Sequence, residues 1–335
     1  MAVPYPLKID AFCHIVPPKY KDILYKISPE QVDSKITRDP PLFDLDDRFR
    51  IMDKYEPLRQ VLTLAWPPLE LFADAKQAAE LGRLANDEMA ELVAKYPSRF
   101  VAAIAILPMA DMEAALAEAD RAINDLHFRG VYIYTPINDK PLDSPEFLPL
   151  YEKMCRYDLP IFIHPMRYPD FPDYKTEAES RYNICSTFGW PYETTAAMTR
   201  LVRSGIMEKL PNLKIITHHA GGMVPFYADR VAQFSQLQAR DGEGQAGLSK
   251  DAVDYYKMFY ADTALYGNPS GLMCAKAFFG ADNILFGTDF PLGCTEHGDR
   301  NYRQTINAVE EMDISPEDRK KIYEDNARKL MRLPI

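Results

Sequence analysis

Short apolar runs alternate with longer amphipathic stretches along the whole chain. The short runs are rich in β-branched and aromatic residues and are bounded by Gly or Pro, which predicts buried strands. They lie in the stretches 9–17, 59–65, 100–107, 130–135, 159–164, 213–219, 258–262 and 283–288. Apolar positions at helical spacing predict helices at 47–55, 70–96, 112–126, 144–157, 191–209, 224–239 and 270–279, and two more between 299 and 333. Strands that alternate with helices indicate a parallel sheet, because parallel neighbours need crossover connections.

Four of these predicted strands deliver a His or an Asp at the carboxyl end, where a Pro or Gly turns the chain away. Strand one ends at His14, strand five at His164, strand six at His218 and His219, and strand eight at Asp289. A closed barrel brings the carboxyl ends of all its strands around one mouth. A doubly wound sheet would instead need a glycine-rich phosphate loop after its first strand, and this chain has none there. The pattern therefore predicts an α/β fold of the (β/α)8 TIM-barrel type.

We expect residues 1–335 to form a single barrel domain. Two long stretches without sustained periodicity, at about 18–46 and 166–190, are predicted to be loops over the active face. Loops of that length inside a compact domain are usually functional.

Composition and charge exclude several classes of protein. The net charge of -10, without a basic stripe, argues against a nucleic-acid partner. No apolar run reaches membrane-spanning length, and the first residues do not resemble a signal peptide, so we expect a cytoplasmic protein with no membrane partner. The five cysteines are scattered without C-x-x-C spacing, which predicts reduced thiols rather than disulfides or a zinc knuckle.

The residues at the strand ends suit a metal ion. Imidazole and carboxylate together favour zinc or manganese, and a catalytic zinc needs only three protein ligands. His14, His164 and Asp289 meet that count. Asp10 shares a strand face with His14, but at about 3.3 Å per residue it lies about 13 Å below it. We therefore expect Asp10 to accept a hydrogen bond deep in the barrel rather than to bind the ion.

The two adjacent histidines of strand six are expected to differ in role. Neighbouring side chains on a strand point to opposite sides, so at most one of them should face the mouth. His219, directly before Ala220-Gly221-Gly222, is predicted to be the general acid or base, and His218 to be structural. His297 lies in the predicted loop after Asp289, and a loop at that position could bring its side chain to the barrel mouth.

Aromatic and basic residues beyond the strand ends indicate the substrate. An arginine would pair bidentately with a carboxylate, and aromatic rings would flank a planar ligand. Packing of the loops onto the barrel is the alternative for each of these residues. The substrate-binding candidates are Trp66, Tyr134, Arg167 and Trp190, with Arg48 and Arg50 as further candidates.

Several segments carry a resemblance to a known family. They are residues 8–10 (Lys-Ile-Asp), 189–195 (Gly-Trp-Pro-Tyr-Glu-Thr-Thr), 219–226 (His-Ala-Gly-Gly-Met-Val-Pro-Phe), 287–291 (Gly-Thr-Asp-Phe-Pro) and 323–330 (Tyr-Glu-Asp-Asn-Ala-Arg-Lys-Leu). At these positions the chain resembles the amidohydrolase superfamily, and within it the aminocarboxymuconate-semialdehyde and resorcylate decarboxylase group. The resemblance implies a barrel of the metal-dependent hydrolase type and a homodimer or homotetramer.

The resemblance also implies a ligand set. Members hold one divalent metal, usually zinc or manganese, with a His-x-His pair on strand one, a His after strand five and an Asp after strand eight. His14, His164 and Asp289 match three of these positions, and His219 matches the His that transfers protons together with the Asp. Phe12 stands where the first His of the pair belongs. One ligand is therefore absent from strand one.

Three functions remain open at this point. The first is a metal-dependent, non-oxidative decarboxylase, a carboxy-lyase acting on an aromatic or dienyl carboxylate with an adjacent hydroxyl, amino or oxo group. The second is a metal-dependent hydrolase or hydratase that uses metal-bound water. The third is a metal-free binding protein or inactive relative, which Phe12 makes conceivable.

Overall fold

The computed structural model describes residues 6–29, 38–240, 248–292 and 298–335. His297 and Cys294 lie outside the described residues.

Eight parallel strands form the centre of the molecule. They are β1 (Lys8–Ile15), β2 (Leu58–Leu64), β3 in two segments (Phe100–Ala103 and Ala105–Ile106), β4 (Val131–Thr135), β5 (Ile161–Pro165), β6 (Ile215–Thr217), β7 (Tyr260–Asp262) and β8 (Ile284–Leu285). Each pairs in parallel with the next along the chain. At the interruption of β3, the Ile104 N–H still donates to the Leu62 carbonyl and the Ala105 N–H to that of Gly130.

The first and last strands close the sheet. The Ala11 N–H donates to the Phe286 carbonyl at 2.8 Å, and the Asp289 N–H donates to the Phe12 carbonyl at 3.0 Å. The His14 N–H donates to the Phe290 carbonyl at 2.6 Å. These bonds join β1 to the segment that continues β8, so the predicted (β/α)8 barrel is confirmed.

Helices surround the barrel. In chain order the α-helices of the described residues are α1 (Pro18–Ile27), α2 (Leu45–Met52), α3 (Ala75–Lys95), α4 (Met112–Asn124), α5 (Leu148–Tyr157), α6 (Trp190–Arg203), α7 (Ile206–Lys209), α8 (Ala228–Arg240), α9 (Ala252–Tyr256), α10 (Pro269–Phe279), α11 (Asp299–Glu310), α12 (Pro316–Lys320) and α13 (Asn326–Met331). Within the described part of the chain, no helix combines the length and the apolar character that crossing a membrane requires.

Capping residues set where several helices begin. The Asp111 carboxylate accepts from the N–H groups of Glu113 and Ala114, so Asp111 is the N-cap of α4. Asp74 and Gln77 form a capping box, so α3 begins later than the predicted residue 70. Helix α1 occupies the start of the stretch that was predicted as a loop at about 18–46.

A buried polar network lies beneath the barrel mouth. The Asp10 carboxylate accepts from the backbone N–H (3.1 Å) and hydroxyl (2.6 Å) of Thr288, from the Tyr302 hydroxyl (2.8 Å) and from the Phe12 N–H (3.3 Å). The expectation that Asp10 accepts hydrogen bonds deep in the barrel is confirmed. Burial raises the pKa of this carboxyl to about 7, although the hydrogen bonds from Thr288 and Tyr302 act to lower it.

Arg48 belongs to the same layer rather than to the substrate-binding face. Its side chain is completely buried. The guanidinium donates to Gln60 Oε1 at 2.7 Å and to the carbonyls of His14 and Pro41 at 2.8 and 3.0 Å. Arg48 therefore supports the backbone that carries His14 and is not placed to meet a substrate.

Candidate active site

Four side chains from four strands converge at the carboxyl end of the barrel. His14 lies near the end of β1, His164 lies in β5, His218 directly follows β6, and Asp289 follows β8. One ligand atom from each lies within 4.8 Å of the others, and all four residues are buried. The barrel thus brings together the predicted metal ligands His14, His164 and Asp289, and it adds His218.

Asp289 is at the centre of the cluster. Its Oδ1 lies 3.0 Å from His14 Nε2 and 3.4 Å from His218 Nε2. Its Oδ2 lies 3.9 Å from His219 Nε2 and accepts a hydrogen bond from the Tyr266 hydroxyl at 2.5 Å. One carboxylate is therefore shared by three imidazoles and a phenol.

Both histidines after β6 reach Asp289, so the expectation that only one could face the mouth is wrong. Strand β6 ends at Thr217, and His219 and Ala220 have left-handed backbone angles, with φ of 55° and 53°. The side-chain alternation of an extended strand does not apply to such residues. The alternation therefore no longer supports the prediction that His218 is structural, and the role of His218 stays a prediction.

The hydrogen bonds behind the imidazoles orient their free nitrogens. The Nδ1–H of His164 donates to the carbonyl of Pro165 at 2.7 Å, which leaves its Nε2 with a lone pair. His14 Nδ1 lies 3.1 Å from the Thr63 hydroxyl. His218 Nδ1 contacts the Asp262 carboxylate, so in all three rings Nε2 is left to face the cluster.

Burial and neighbouring charges set the protonation of the cluster. Burial lowers the pKa of His164 well below its usual value. Burial and the nearby His218 also lower the pKa of His219. Burial acts in the same direction on His218, but Asp262 and Asp289 together outweigh it and raise the pKa of this imidazole to about 9. Burial alone would raise the pKa of Asp289, yet the imidazoles of His14, His218 and His219 hold it well below its usual range.

The cluster fits a divalent cation. His14 Nε2, His218 Nε2 and Asp289 Oδ1 are buried and have no hydrogen-bond partner among the described residues. Buried polar atoms normally have a hydrogen-bond partner, so three such atoms that converge on one point indicate the binding position of an ion. Imidazole and carboxylate are donors that zinc and manganese accept, and zinc lies about 2.0–2.2 Å from such atoms. Among the described residues, this is the one group of His, Cys, Asp and Glu that meets the geometry for a metal.

Phe12 forms an apolar wall of the cluster. Its ring stacks on that of His218, with centroids 4.0 Å apart and planes 12° apart. The same ring lies 5.6 Å from the imidazole of His14 and 6.2 Å from that of His164. The aromatic residue therefore faces the cluster, as strand alternation predicts, but offers it no ligand atom.

The substrate-binding candidates take different positions. The rings of Tyr134 and Trp190 lie 5.5 and 5.4 Å from that of His164, so both border the cluster. Arg167 lies next to Trp190, whose indole N–H donates to the Arg167 carbonyl at 3.4 Å. The guanidinium is 3.3 Å from Glu193, which offsets part of its charge. Trp66 follows β2 and packs, half-buried, against the core.

Two further residues of the site were not found from the sequence. Asp262 ends β7, so the same rule that selected His14 and Asp289, a charged residue at a strand end, would have selected it. Tyr266 lies in the loop after β7 and has a left-handed backbone, with φ of 49°. No periodic signal marks that position, because its contact with Asp289 depends on the path of the loop.

Comparison with known proteins identifies similar chains. A family model described as "Amidohydrolase" matches residues 9–333. The gamma-resorcylate decarboxylase of Polaromonas sp. is 33% identical over 304 residues, which covers 87% of this chain and 89% of that protein. The 2-amino-3-carboxymuconate-6-semialdehyde decarboxylase of Dictyostelium discoideum is 26% identical over 302 residues, which covers 85% of this chain and 82% of the relative.

A solved structure of a decarboxylase has a fold similar to that of this chain. A dihydroxybenzoic acid decarboxylase from Polaromonas sp., with bound manganese and the inhibitor 2-nitroresorcinol, superimposes with a TM-score of 0.79 at 29% identity. The match covers 97% of this chain and 96% of that chain.

Proposed function

This chain belongs to the amidohydrolase family, and from that premise we propose that it is a metal-dependent decarboxylase that removes carbon dioxide from an aromatic carboxylate without oxidation. The family that the sequence resembles is thereby confirmed. The relatives described above are decarboxylases, so the decarboxylase is favoured over a hydrolase, a hydratase or a metal-free binding protein. The enzyme is a carbon–carbon lyase.

The observation that carries the proposal is the convergence, at the barrel mouth, of buried imidazole and carboxylate atoms that have no hydrogen-bond partner within the four described segments. His14, His164 and Asp289 would hold one divalent metal. Zinc was the first expectation from the sequence, and the manganese in the related decarboxylase makes manganese an equal candidate. When bound, the metal would supply a positive charge that orients the substrate carboxylate and its neighbouring oxygen and stabilises developing negative charge.

His219 and Asp289 are the groups that would move a proton. His219 Nε2 lies 3.9 Å from Asp289 Oδ2, which is longer than a hydrogen bond, so the two side chains are neighbours that would have to approach each other to pass a proton. Transfer of that proton to the ring carbon bearing the carboxylate interrupts the aromatic system. The carbon–carbon bond then breaks, its electrons return to the ring, and carbon dioxide leaves. Each turnover thus takes up one proton, which solvent returns to the His219–Asp289 pair.

Aromatic side chains define the class of substrate. The rings of Tyr134 and Trp190 both border the His164 imidazole and would pack against a planar ring. Arg167, next to Trp190, is the candidate for a second contact with an anionic group, provided that it leaves Glu193. A benzoate with an adjacent hydroxyl group matches these contacts and the substrates named for the relatives.

Replacing His219 by Asn is expected to lower the rate of carbon dioxide release by about 100- to 10,000-fold, the usual contribution of a positioned proton donor. The measurement is carbon dioxide release from a panel of 2-hydroxybenzoates, with metal content determined in parallel. His127→Asn is a matched control, because His127 is exposed and has a left-handed backbone that Asn tolerates. Equal rates for His219→Asn and the wild type would remove His219 from the mechanism.

Removal of the metal is expected to stop the reaction. Protein purified without chelator should contain one zinc or manganese ion per chain by elemental analysis. Dialysis against a chelator should abolish carbon dioxide release, and added Mn²⁺ or Zn²⁺ should restore it. His164→Ala should bind less metal than the wild type. Full activity in chelated protein would contradict the proposal.

The predicted homodimer or homotetramer and the cytoplasmic location stay predictions. Light scattering coupled to size-exclusion chromatography would test the first.

A further inference from the structure

We propose that the metal ligand missing from strand β1 is replaced by His218 from the end of β6, which Asp262 orients and Phe12 supports. The inference rests on the proposed metal-dependent function. It concerns how this chain completes the ligand set when position 12 carries a phenylalanine.

The stacking of Phe12 on His218 is the first observation that supports this role. The Phe12 side chain faces the cluster but has no donor atom, and the imidazole of His218 lies flat against it with centroids 4.0 Å apart. The benzene ring fixes the plane of the imidazole. A ring that is held in this plane directs its edge, and hence Nε2, towards Asp289.

The ring nitrogen Nε2 of His218 is the second feature that points to a metal ligand. Nε2 is buried, lies 3.4 Å from Asp289 Oδ1 and has no hydrogen-bond partner in the described part of the chain. A histidine with only a structural role would be expected to use both ring nitrogens in hydrogen bonds, since an unsatisfied buried group is costly. A metal ion would use this nitrogen together with those of His14 and His164.

Asp262 orients His218 through the other ring nitrogen, Nδ1. This nitrogen contacts Asp262 Oδ2. Asp262 is itself held in place, because its Oδ1 accepts from the N–H groups of Ala220 and Ala264 at 3.0 and 3.1 Å. A carboxylate that binds the outer nitrogen of a histidine is the usual support of a metal ligand, since it fixes the tautomer and the ring orientation. Asp262 is therefore a positioning residue.

The two adjacent histidines then divide the work. The side chain of His218 is completely buried among protein atoms, whereas 8% of the His219 side chain is exposed. His219 is thus the one that opens towards solvent and a substrate. With His218 as a ligand, the cluster offers three imidazoles and one carboxylate to the metal.

The test compares metal affinity in two neighbouring variants, His218→Ala and His219→Ala. Mn²⁺ and Co²⁺ are titrated against a chromogenic chelator, and the visible absorption of the Co²⁺ form reports the ligand set. We expect His218→Ala to weaken Co²⁺ affinity by about a hundredfold or more and to change the spectrum, because even a lost outer partner costs about 10- to 100-fold. His219→Ala should keep the Co²⁺ affinity within a few-fold of the wild type and leave the absorption spectrum of the Co²⁺ form unchanged, while it loses activity.

Two more variants keep the test decisive. Asp262→Asn should weaken metal affinity by about 10- to 100-fold without removing a ligand, and it serves if His218→Ala does not fold. Adding Phe12→His to His218→Ala should restore metal binding, since it returns a histidine to strand β1. Wild-type affinity and an unchanged Co²⁺ spectrum in both His218→Ala and Asp262→Asn would overturn the inference. A wild-type protein that binds no metal would instead overturn the proposed function.

Discussion

Replacing Asp289 by Asn is expected to lower the rate of carbon dioxide release by about ten-thousand-fold or more. The carboxylate is placed to act twice, as a metal ligand and as a partner of His219 in proton transfer. An amide keeps the size of the side chain but loses the negative charge that faces three imidazoles. Loss of proton transfer alone costs about 100- to 10,000-fold, and a weakened metal adds to it.

The measurement is single-turnover release of carbon dioxide from a 2-hydroxybenzoate at saturating Mn²⁺. Asp139→Asn is the matched control, because Asp139 is exposed and, like Asp289, has a left-handed backbone, with φ of 59° against 61°. The control should retain the wild-type rate. An Asp289→Asn variant that keeps a tenth of the wild-type rate would show that this carboxylate is not part of the chemistry.

Replacing Asp10 by Ala is expected to destabilise the protein by about 3 to 5 kcal/mol. The change leaves two backbone N–H groups and the hydroxyls of Thr288 and Tyr302 without their acceptor in a buried layer. Each unsatisfied buried donor costs about 1–3 kcal/mol, and a neighbouring group that relaxes recovers part of it. A small cavity adds to the loss.

The free energy of unfolding would be measured by chemical denaturation at pH 7. Asp10→Asn is the control, because the amide oxygen can accept from the N–H groups of Phe12 and Thr288 while its NH₂ donates to the two hydroxyls. We expect this variant to lose clearly less stability than Asp10→Ala. Equal losses would mean that the negative charge, and not the hydrogen bonds, is what the layer requires.

The two predictions separate the functions of neighbouring layers. Asp289 and the histidines face the barrel mouth, whereas Asp10 holds the Thr288 side chain and backbone one position before Asp289. A secondary loss of activity in Asp10→Ala would therefore reflect a shift of Asp289. It should be accompanied by weaker metal binding rather than by a defect in proton transfer alone.

Most of the barrel could be predicted from local patterns. Apolar runs bounded by Gly and Pro located all eight strands, and polar residues at their ends selected His14, His164, His219 and Asp289. These predictions work because periodicity and turn residues act within a few neighbours along the chain. The start of α3 was less accurate, since the capping box at Asp74 overrides the apolar pattern before it.

The position of His218 could not be predicted in the same way. Strand alternation assumes an extended backbone, but β6 ends at Thr217 and His219 turns into a left-handed conformation. The side chains of both histidines consequently approach Asp289. A local rule fails where the strand stops, because from there the loop follows tertiary contacts.

Local patterns along the chain establish the alternation of strands and helices, the resemblance to the amidohydrolases and the His and Asp residues at the strand ends. Which of these residues come into contact depends on the tertiary structure. His218 contacts Asp262 across 44 residues, and Asp10 is bound by Thr288 across 278. The Asp10–Thr288 contact exists only once the hydrogen bonds between β1 and the segment after β8 close the barrel, and the His218–Asp262 contact depends on the pairing of β6 with β7. No local pattern of polar and apolar residues encodes either contact, because the two partners lie far apart in the chain.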